Sequence, residues 1–262
     1  MFIDTHTHMF SEKFQEDTDT CIQNAINSGV EKMLLPNIDI ESIDAMHALE
    51  IKYPKHCFSM MGLHPCAVQD DFEKKLVTVK EHLFSRDYIA VGEIGIDLYW
   101  DKTYLEEQKH AFKQQCIWAK ELGIPIAIHA RSSFDEIFEC LDEVNDEKLT
   151  GVLHCFTGSQ EQAQQVLAYG GFKLGIGGVV TFKKAGLDKV VQTLTLNDIV
   201  LETDAPYLAP TPFRGKRNES SYLLHVAEKV AEIFELPLKE VEEQTTLNAL
   251  ELFSKLKQYE NR

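Results

Sequence analysis

Short apolar runs recur along the chain, separated by longer stretches in which apolar and polar residues follow a helical period. The runs occupy 2–6, 32–38, 57–64, 89–97, 125–130, 151–156, 172–178 and 199–204. Each is mostly aliphatic or β-branched with little alternation, the pattern of strands covered on both faces, as in parallel sheets. Helical periodicity fills the intervals. The stretch 17–28 stops at Gly29, and 104–122 stops at Gly123 with Pro125 beyond, both regular helix terminations. Within 135–144, Ile137, Phe138, Leu141 and Val144 share one face and acids take the other. Two further helices, 222–234 and 238–256, follow the eighth run. Strict alternation of strand and helix implies right-handed crossovers and a parallel sheet. Eight repeats favour an α/β fold closed into a (β/α)8 TIM barrel over an open doubly wound sheet. All of 1–262 then forms one domain, close to the roughly 250 residues usual for such barrels.

Composition changes this picture only at the level of function. With 44% hydrophobic and 26% charged residues, the chain has the make-up of a soluble globular protein. A formal net charge of −16 argues against a broad basic face, because proteins that grip many phosphates do so with clustered cations and counterion release. One or two phosphates at a metal-lined site remain compatible, since a bound divalent ion reverses the local field. Neither GxGxxG nor GxxxxGK[ST] occurs, so the usual nucleotide-binding folds lose their best support. The six cysteines include no CxxC pair, the N-terminus lacks a secretory pattern, and no run approaches the roughly 18 apolar residues of a membrane span. The expectation is a cytoplasmic protein with reduced thiols, no membrane association and no obligate protein partner.

Barrels of this kind keep their chemistry at the C-terminal ends of the strands. The first run leads into His6-Thr7-His8, the third ends at His64-Pro65, and the fourth contains Gly92-Glu93-Ile94-Gly95-Ile96-Asp97. The fifth ends at His129-Ala130-Arg131, the sixth at His154-Cys155-Phe156 and the eighth at Glu202-Thr203-Asp204. Five of the ten histidines therefore fall at one end of four strands. In an extended strand, His6 and His8 point to the same side and can grip one ion. HxH alone is a weak signal; its weight comes from Glu93, His129, His154 and Asp204 opposite. Glu93 sits between glycines in an apolar strand, where a solvated surface position is excluded, and a buried carboxylate without a cation is costly. His129 and His154 are core histidines if taken singly and metal ligands if taken as a pair. Asp204 either ligates or caps the next segment, and for Asp4 the alternative is to orient a ligand histidine from behind. His64 binds substrate, acts as an acid or braces its loop, and the sequence leaves these open. The segment Arg214-Gly215-Lys216-Arg217-Asn218-Glu219 is a basic cluster in an acidic chain, and Arg214 there is a candidate for a bidentate phosphate contact.

These stretches, in this order across residues 3 to 219, resemble the TatD-type metal-dependent deoxyribonucleases of the amidohydrolase-like barrel superfamily. The helical ending with Thr245-Thr246-Leu247-Asn248-Ala249 is similar as well. Two departures stand out: Leu98 where family members often carry an aromatic residue, and Ser220 where they often carry proline. The resemblance implies two divalent ions. His6, His8 and Asp204 would hold the first, and Glu93 would bridge to a second held by His129 and His154.

Mixed His/carboxylate ligation by itself allows Zn, Mn or Fe, and the resemblance adds Mg or Mn as supporting ions. The function it implies is phosphodiester hydrolysis at DNA ends by a metal-activated water, as a 3′–5′ exonuclease on single strands. Asp204 and Glu93 would serve the reaction, with Arg214 and His64 on the phosphate. The same ligands also suit amide or ester hydrolysis of a small metabolite or an aminoacyl-tRNA. A non-catalytic metal-binding partner protein is a third reading, which the retention of all six ligands disfavours.

Overall fold

The computed structural model describes residues 1–259; the expected domain of 1–262 extends over 260–262, which lie outside the described residues. Eight strands follow in order: β1 (Phe2–Asp4), β2 (Val30–Pro36), β3 (Cys57–Met60), β4 (Val91–Asp97), β5 (Ile126–Arg131), β6 (Gly151–Leu153), β7 (Phe172–Ile176) and β8 (Ile199–Leu201). Between them run α1 (Thr18–Asn27), α2 (Ile43–Lys52), α3 (Phe72–Ser85), α4 (Leu105–Leu122), α5 (Phe134–Val144), α6 (Gln160–Ala168) and the short α7 (Leu187–Val191). After β8 come α8 (Leu223–Phe234), α9 (Leu238–Leu252) and α10 (Leu256–Tyr259). Every strand pair is parallel.

Regular pairing gives a three-stranded and a five-stranded sheet, β1–β2–β3 and β4 through β8. Two seams join them. At β3/β4, Met61 bridges Val91, and the Gly92 amide donates to the Met61 carbonyl at 3.0 Å. At β8/β1, Thr7 bridges Ala205, and the Thr5 amide donates to the Leu201 carbonyl at 3.0 Å. The circle closes as the (β/α)8 barrel expected from eight repeats.

Alternate strand residues divide between two buried layers. Ile3, Leu34, Phe58, Met60, Ala127, Val152 and Val200 fill one cluster with Ala249, Leu252, Phe253 and Leu256 of the C-terminal helices. Met33, Leu35, Val91, Ile94, Ile126, Ile128, Leu174 and Ile176 pack with the helical ring. The expected helix 238–256 is broken for this reason: the chain turns at 253–255, which seats Phe253 and Leu256, both fully buried, in the first cluster. α4 stops where expected, with Gly123 in the left-handed conformation (φ 62°) that glycine adopts without steric cost.

The strands that carry the candidate residues are shorter than the apolar runs. β1 ends at Asp4, β6 at Leu153 and β8 at Leu201, so His6, His154 and Asp204 stand on irregular backbone just past the ladder. Asp204 and Cys155 both have positive φ, 56° and 46°. Non-glycine residues in this region carry local strain and cluster where a fold positions functional groups.

Candidate metal centre

Glu93 is the hub. Its side chain is 2% exposed, and the two carboxylate oxygens face different partners. Oε2 lies 3.1 Å from His6 Nε2 and 3.5 Å from His8 Nε2. Oε1 lies 2.8 Å from His129 Nδ1, 2.9 Å from His154 Nε2 and 3.5 Å from His64 Nε2. Asp204 closes the first side, with Oδ1 3.6 Å from His8 Nε2 and 3.9 Å from His6 Nε2. All six residues expected as ligands, together with His64, therefore meet around one carboxylate. The HxH pair converges although neither residue lies in a regular strand, because the Thr7–Ala205 bridge holds the backbone between the two rings.

Glycine makes room for this hub. A Cβ at Gly95 (φ 148°) would fall 2.0 Å from the His129 carbonyl oxygen, so β4 and β5 approach as closely as they do only without a side chain there.

Behind the imidazoles stand two carboxylates that residue type alone did not assign. Asp97 Oδ2 is 2.9 Å from His129 Nε2, and Glu202 Oε1 is 3.3 Å from His154 Nδ1. A carboxylate on the far nitrogen fixes a histidine's tautomer and turns the other lone pair inward, the usual support for a metal ligand. Glu202 is fully buried and accepts the Cys155 amide at 2.5 Å. A Cβ on Gly175 would come 2.2 Å from its Oε2, so β7 is cut back to admit it. Their signal in sequence was position: Asp97 closes the Gly92 to Asp97 stretch, and Glu202 lies two residues before Asp204.

His64 differs from the other rings. Its Nδ1 accepts the Cys66 amide at 3.1 Å, so the neutral ring carries its proton on Nε2, the nitrogen facing Glu93. That makes His64 a donor toward the site. Asp4, expected to orient a ligand ring, grips backbone and hydroxyl instead. Its carboxylate accepts the Thr203 amide at 2.9 Å and the Thr203 hydroxyl at 2.6 Å, which ties β1 to the segment carrying Asp204. Burial pushes the Asp4 carboxyl up to about 7.

Electrostatics follow this arrangement. Burial opposes charge on Glu93, yet the His154, His6 and His64 imidazoles hold its carboxyl well below the usual range. Burial likewise opposes charge on His154, but Glu93 and Glu202 raise it well above an ordinary histidine. His129 and His64 are raised by the same contest, His129 through Asp97 and Glu93, His64 mainly through Glu93. His6 goes the other way, lowered by burial and by the neighbouring His154 ring stacked on it at 3.7 Å. Asp204 is lowered despite burial because His8, His154 and His6 surround it.

This donor set fits divalent cations. His6 Nδ1, His8 Nδ1, His154 Nδ1 and Glu202 Oε2 are buried without a hydrogen-bond partner, a concentration of unsatisfied polar atoms in one place. Three groups of ligand-type atoms lie within a metal's reach: His6, His8 and Glu93; His6, His154 and Glu202; His64, Glu93 and His129. The imidazoles suit Zn or Fe, and the carboxylates of Glu93 and Asp204 suit Mn or Mg as well.

The centre forms the floor of a cavity of about 620 Å³, whose wall includes His8, His64, Glu93, His129, His154 and Asp204, and whose lining further takes in Trp100, Arg131, Tyr207 and Leu208. Arg214, expected on the phosphate, is exposed, stacks over Phe182 at 4.4 Å and is not part of the cavity lining. Its basic segment is largely self-satisfied: Arg217 pairs with Asp17 at 2.6 Å, and Asn218 donates to the Thr203 and Tyr207 carbonyls. Arg131, visible in the His129-Ala130-Arg131 stretch but not singled out, is the arginine of the lining. Of the two departures noted in sequence, Leu98 is buried in the core, and the Ser220 hydroxyl donates to Thr7 Oγ1 at 3.1 Å beneath the HxH turn. No helix among the described residues is long and apolar enough to cross a membrane.

Comparison with known proteins agrees with the geometry. Residues 3–254 match the family described as TatD related DNase. The chain is 38% identical over 255 residues to the uncharacterized metal-dependent hydrolase YabD of Bacillus subtilis, covering 97% of this chain and 99% of that one. It is 31% identical over 258 residues to the 3′-5′ ssDNA/RNA exonuclease TatD of Erwinia tasmaniensis, covering 96% and 99%. Among solved structures, the TatD homologue YjjV of Escherichia coli superimposes with a TM-score of 0.90 at 30% identity, covering 97% of this chain and 98% of that one. This chain belongs to the TatD family of metal-dependent hydrolases.

Proposed function

We propose that the protein is a deoxyribonuclease that removes nucleotides from the 3′ ends of single strands, working in the cytoplasm with two divalent ions. The observation that carries the reading is the split of Glu93, one carboxylate oxygen toward His6 and His8 and the other toward His129 and His154. A carboxylate placed between two nitrogen-rich sets suits two-ion hydrolysis, that of phosphodiesters included. The exonuclease named among the relatives supports the substrate, and the six cysteines, all free thiols, suit a reducing compartment.

His6, His8 and Asp204 would hold one ion, His129 and His154 the other, with Glu93 shared. When bound, such ions supply positive charge for the phosphoryl oxygens and make a water acidic enough to ionise near neutral pH. The chain's own residues do the rest. Asp204, held ionised by the surrounding imidazoles, takes the proton from the attacking water. His64 presents Nε2–H into the cavity and donates to the phosphate or the departing 3′ oxygen; its raised affinity for a proton suits that role. Arg131 neutralises a second phosphoryl oxygen from the rim, taking the place expected of Arg214. Barrel strands close off the floor, so a substrate enters at the mouth lined by Trp100, Arg131, Tyr207 and Leu208.

The test is release of mononucleotides from end-labelled single-stranded DNA with Mn or Mg, for the wild type beside His6→Ala and Glu93→Ala. Release by the wild type and its collapse in both variants is the expected result. Turnover of small amides or esters without any release from DNA would replace the nuclease by an amide or ester hydrolase. Equal release from all three preparations would trace the activity to a contaminant.

A further inference from the structure

The mouth of the cavity carries large side chains where solvent would normally select against them. Trp100 is 79% exposed, Tyr99 53% and Tyr207 45%. They are not scattered: Trp100 and Tyr207 both line the cavity above the metal centre. Each side of the mouth pairs ring with cation. On the β4/β5 side, the Arg131 guanidinium lies 3.9 Å from the Tyr99 ring centroid and 5.9 Å from that of Trp100. On the β8/β1 side, Lys13 Nζ lies 4.4 Å over Tyr207. Tyr99 and Trp100 meet edge to face at 4.7 Å.

The β4 platform is wired to the chemistry. The Tyr99 amide donates to Asp97 Oδ1 at 3.0 Å, and the other oxygen of the same carboxylate lies 2.9 Å from His129 Nε2. The Leu98 amide donates to the Arg131 carbonyl at 2.9 Å, and Leu98 itself is buried. The aliphatic residue at 98 is thereby an anchor, and the two aromatics after it take the rim.

We infer that Tyr99 and Trp100, with Arg131, form a stacking platform for unpaired nucleic-acid bases next to the bond being cut, with Tyr207 and Lys13 as its counterpart across the mouth. The inference rests on the proposed nuclease function and adds what selects the substrate. Two physical points carry it. Every base offers a π-face, so an aromatic rim holds a single strand without reading its sequence, whereas paired bases in a duplex have no free face. And a chain of net charge −16 gains little from long-range attraction of a phosphate backbone, so stacking adds to what the metal centre and the few cations at the rim supply.

Fluorescence reads this directly. The chain has two tryptophans, and Trp118 is 5% exposed, so strand-dependent quenching reports on Trp100. The metal-loaded protein is titrated with a phosphorothioate oligothymidylate, which resists hydrolysis, and with an abasic phosphorothioate of equal length. Saturable quenching by the first, at least about fivefold tighter than by the second, is expected from one stacked base. Its affinity should fall less than about tenfold between about 50 mM and about 200 mM salt, as befits one or two phosphate contacts.

In steady state, Trp100→Ala should shrink the kcat/KM preference for base-bearing over abasic strands by about fivefold or more, through KM. Equal binding of the two strands, or a preference untouched in Trp100→Ala and Tyr99→Ala, overturns the platform. Failure to cut either strand defeats the nuclease reading instead, and the titration still decides the platform.

Discussion

The two halves of the candidate metal centre, read as the two ion positions proposed above, are built on different principles. On the β5/β6 half, each imidazole has a carboxylate at its back: Asp97 behind His129 and Glu202 behind His154. The far nitrogens of His6 and His8 on the β1/β8 half have no carboxylate at their backs; like His154 Nδ1 they have no hydrogen-bond partner, but His154 keeps the Glu202 charge 3.3 Å away. His6 is fixed by packing, fully buried and stacked on His154 with an interplanar angle of 11°. Charge follows the same division. His129 and His154 are raised by their carboxylates, whereas His6 is lowered by burial and by its cationic neighbour. The difference teaches that one half is backed by carboxylate charge and the other by packing, with Glu93 the single group that belongs to both.

Glu93→Gln tests that joint and should have the largest effect. An amide cannot serve both halves as a shared anion, so metal at both positions weakens and activity falls by more than about a hundredfold, beyond what loss of a supporting partner alone costs. Metal content measured on the purified variant, beside its nuclease rate, checks the expectation. Loss of one ion with the other fully retained would show that Glu93 belongs to one half only.

Asp97→Asn and Glu202→Gln separate the halves. Each removes the charge behind a β5/β6 imidazole and should cost roughly 10–100-fold in metal affinity there. The β1/β8 half, which has no such carboxylate, should keep its ion at unchanged affinity. Competition titrations against a chelator, resolved into two binding steps, read both numbers. If the two steps weaken equally, the halves are coupled and the division drawn above fails.

Much of this centre was legible from residue types. All six expected ligands and His64 converge on Glu93, because a barrel delivers strand ends to one face and few other arrangements place histidines so consistently there. The supporting carboxylates were not legible for a geometric reason. Strand parity gives the side a residue faces but not its partner: Asp97 shares its parity with Glu93, and Glu202 with Asp204, and parity does not tell which of each pair stands behind a histidine. Arg214, expected on the phosphate, lies outside the cavity lining, where Arg131 stands instead. Basic residues in a loop look like a phosphate site, but Arg217 is spent on Asp17 and Arg214 on Phe182. The break after α9 needed knowledge of the space below the barrel, which Phe253 and Leu256 fill.

Protons sharpen the same contrast with the smallest expected effect. A raised histidine keeps its proton to higher pH, and an incoming cation must displace it; a lowered one is already neutral and gives up its lone pair freely. As pH falls, the β5/β6 position should therefore lose affinity first, by about tenfold per pH unit for each proton displaced from His129 or His154. The His6 position should hold its affinity until more acidic conditions. Calorimetric titration with Mn or Zn at several pH values, in buffers of different ionisation enthalpy, counts the protons released at each binding step. The expected result is net proton release near neutral pH from the β5/β6 step and little from the other. Proton release shared evenly between the steps would mean that the carboxylates behind His129 and His154 do not govern their charge, and the two halves would then differ in shape alone.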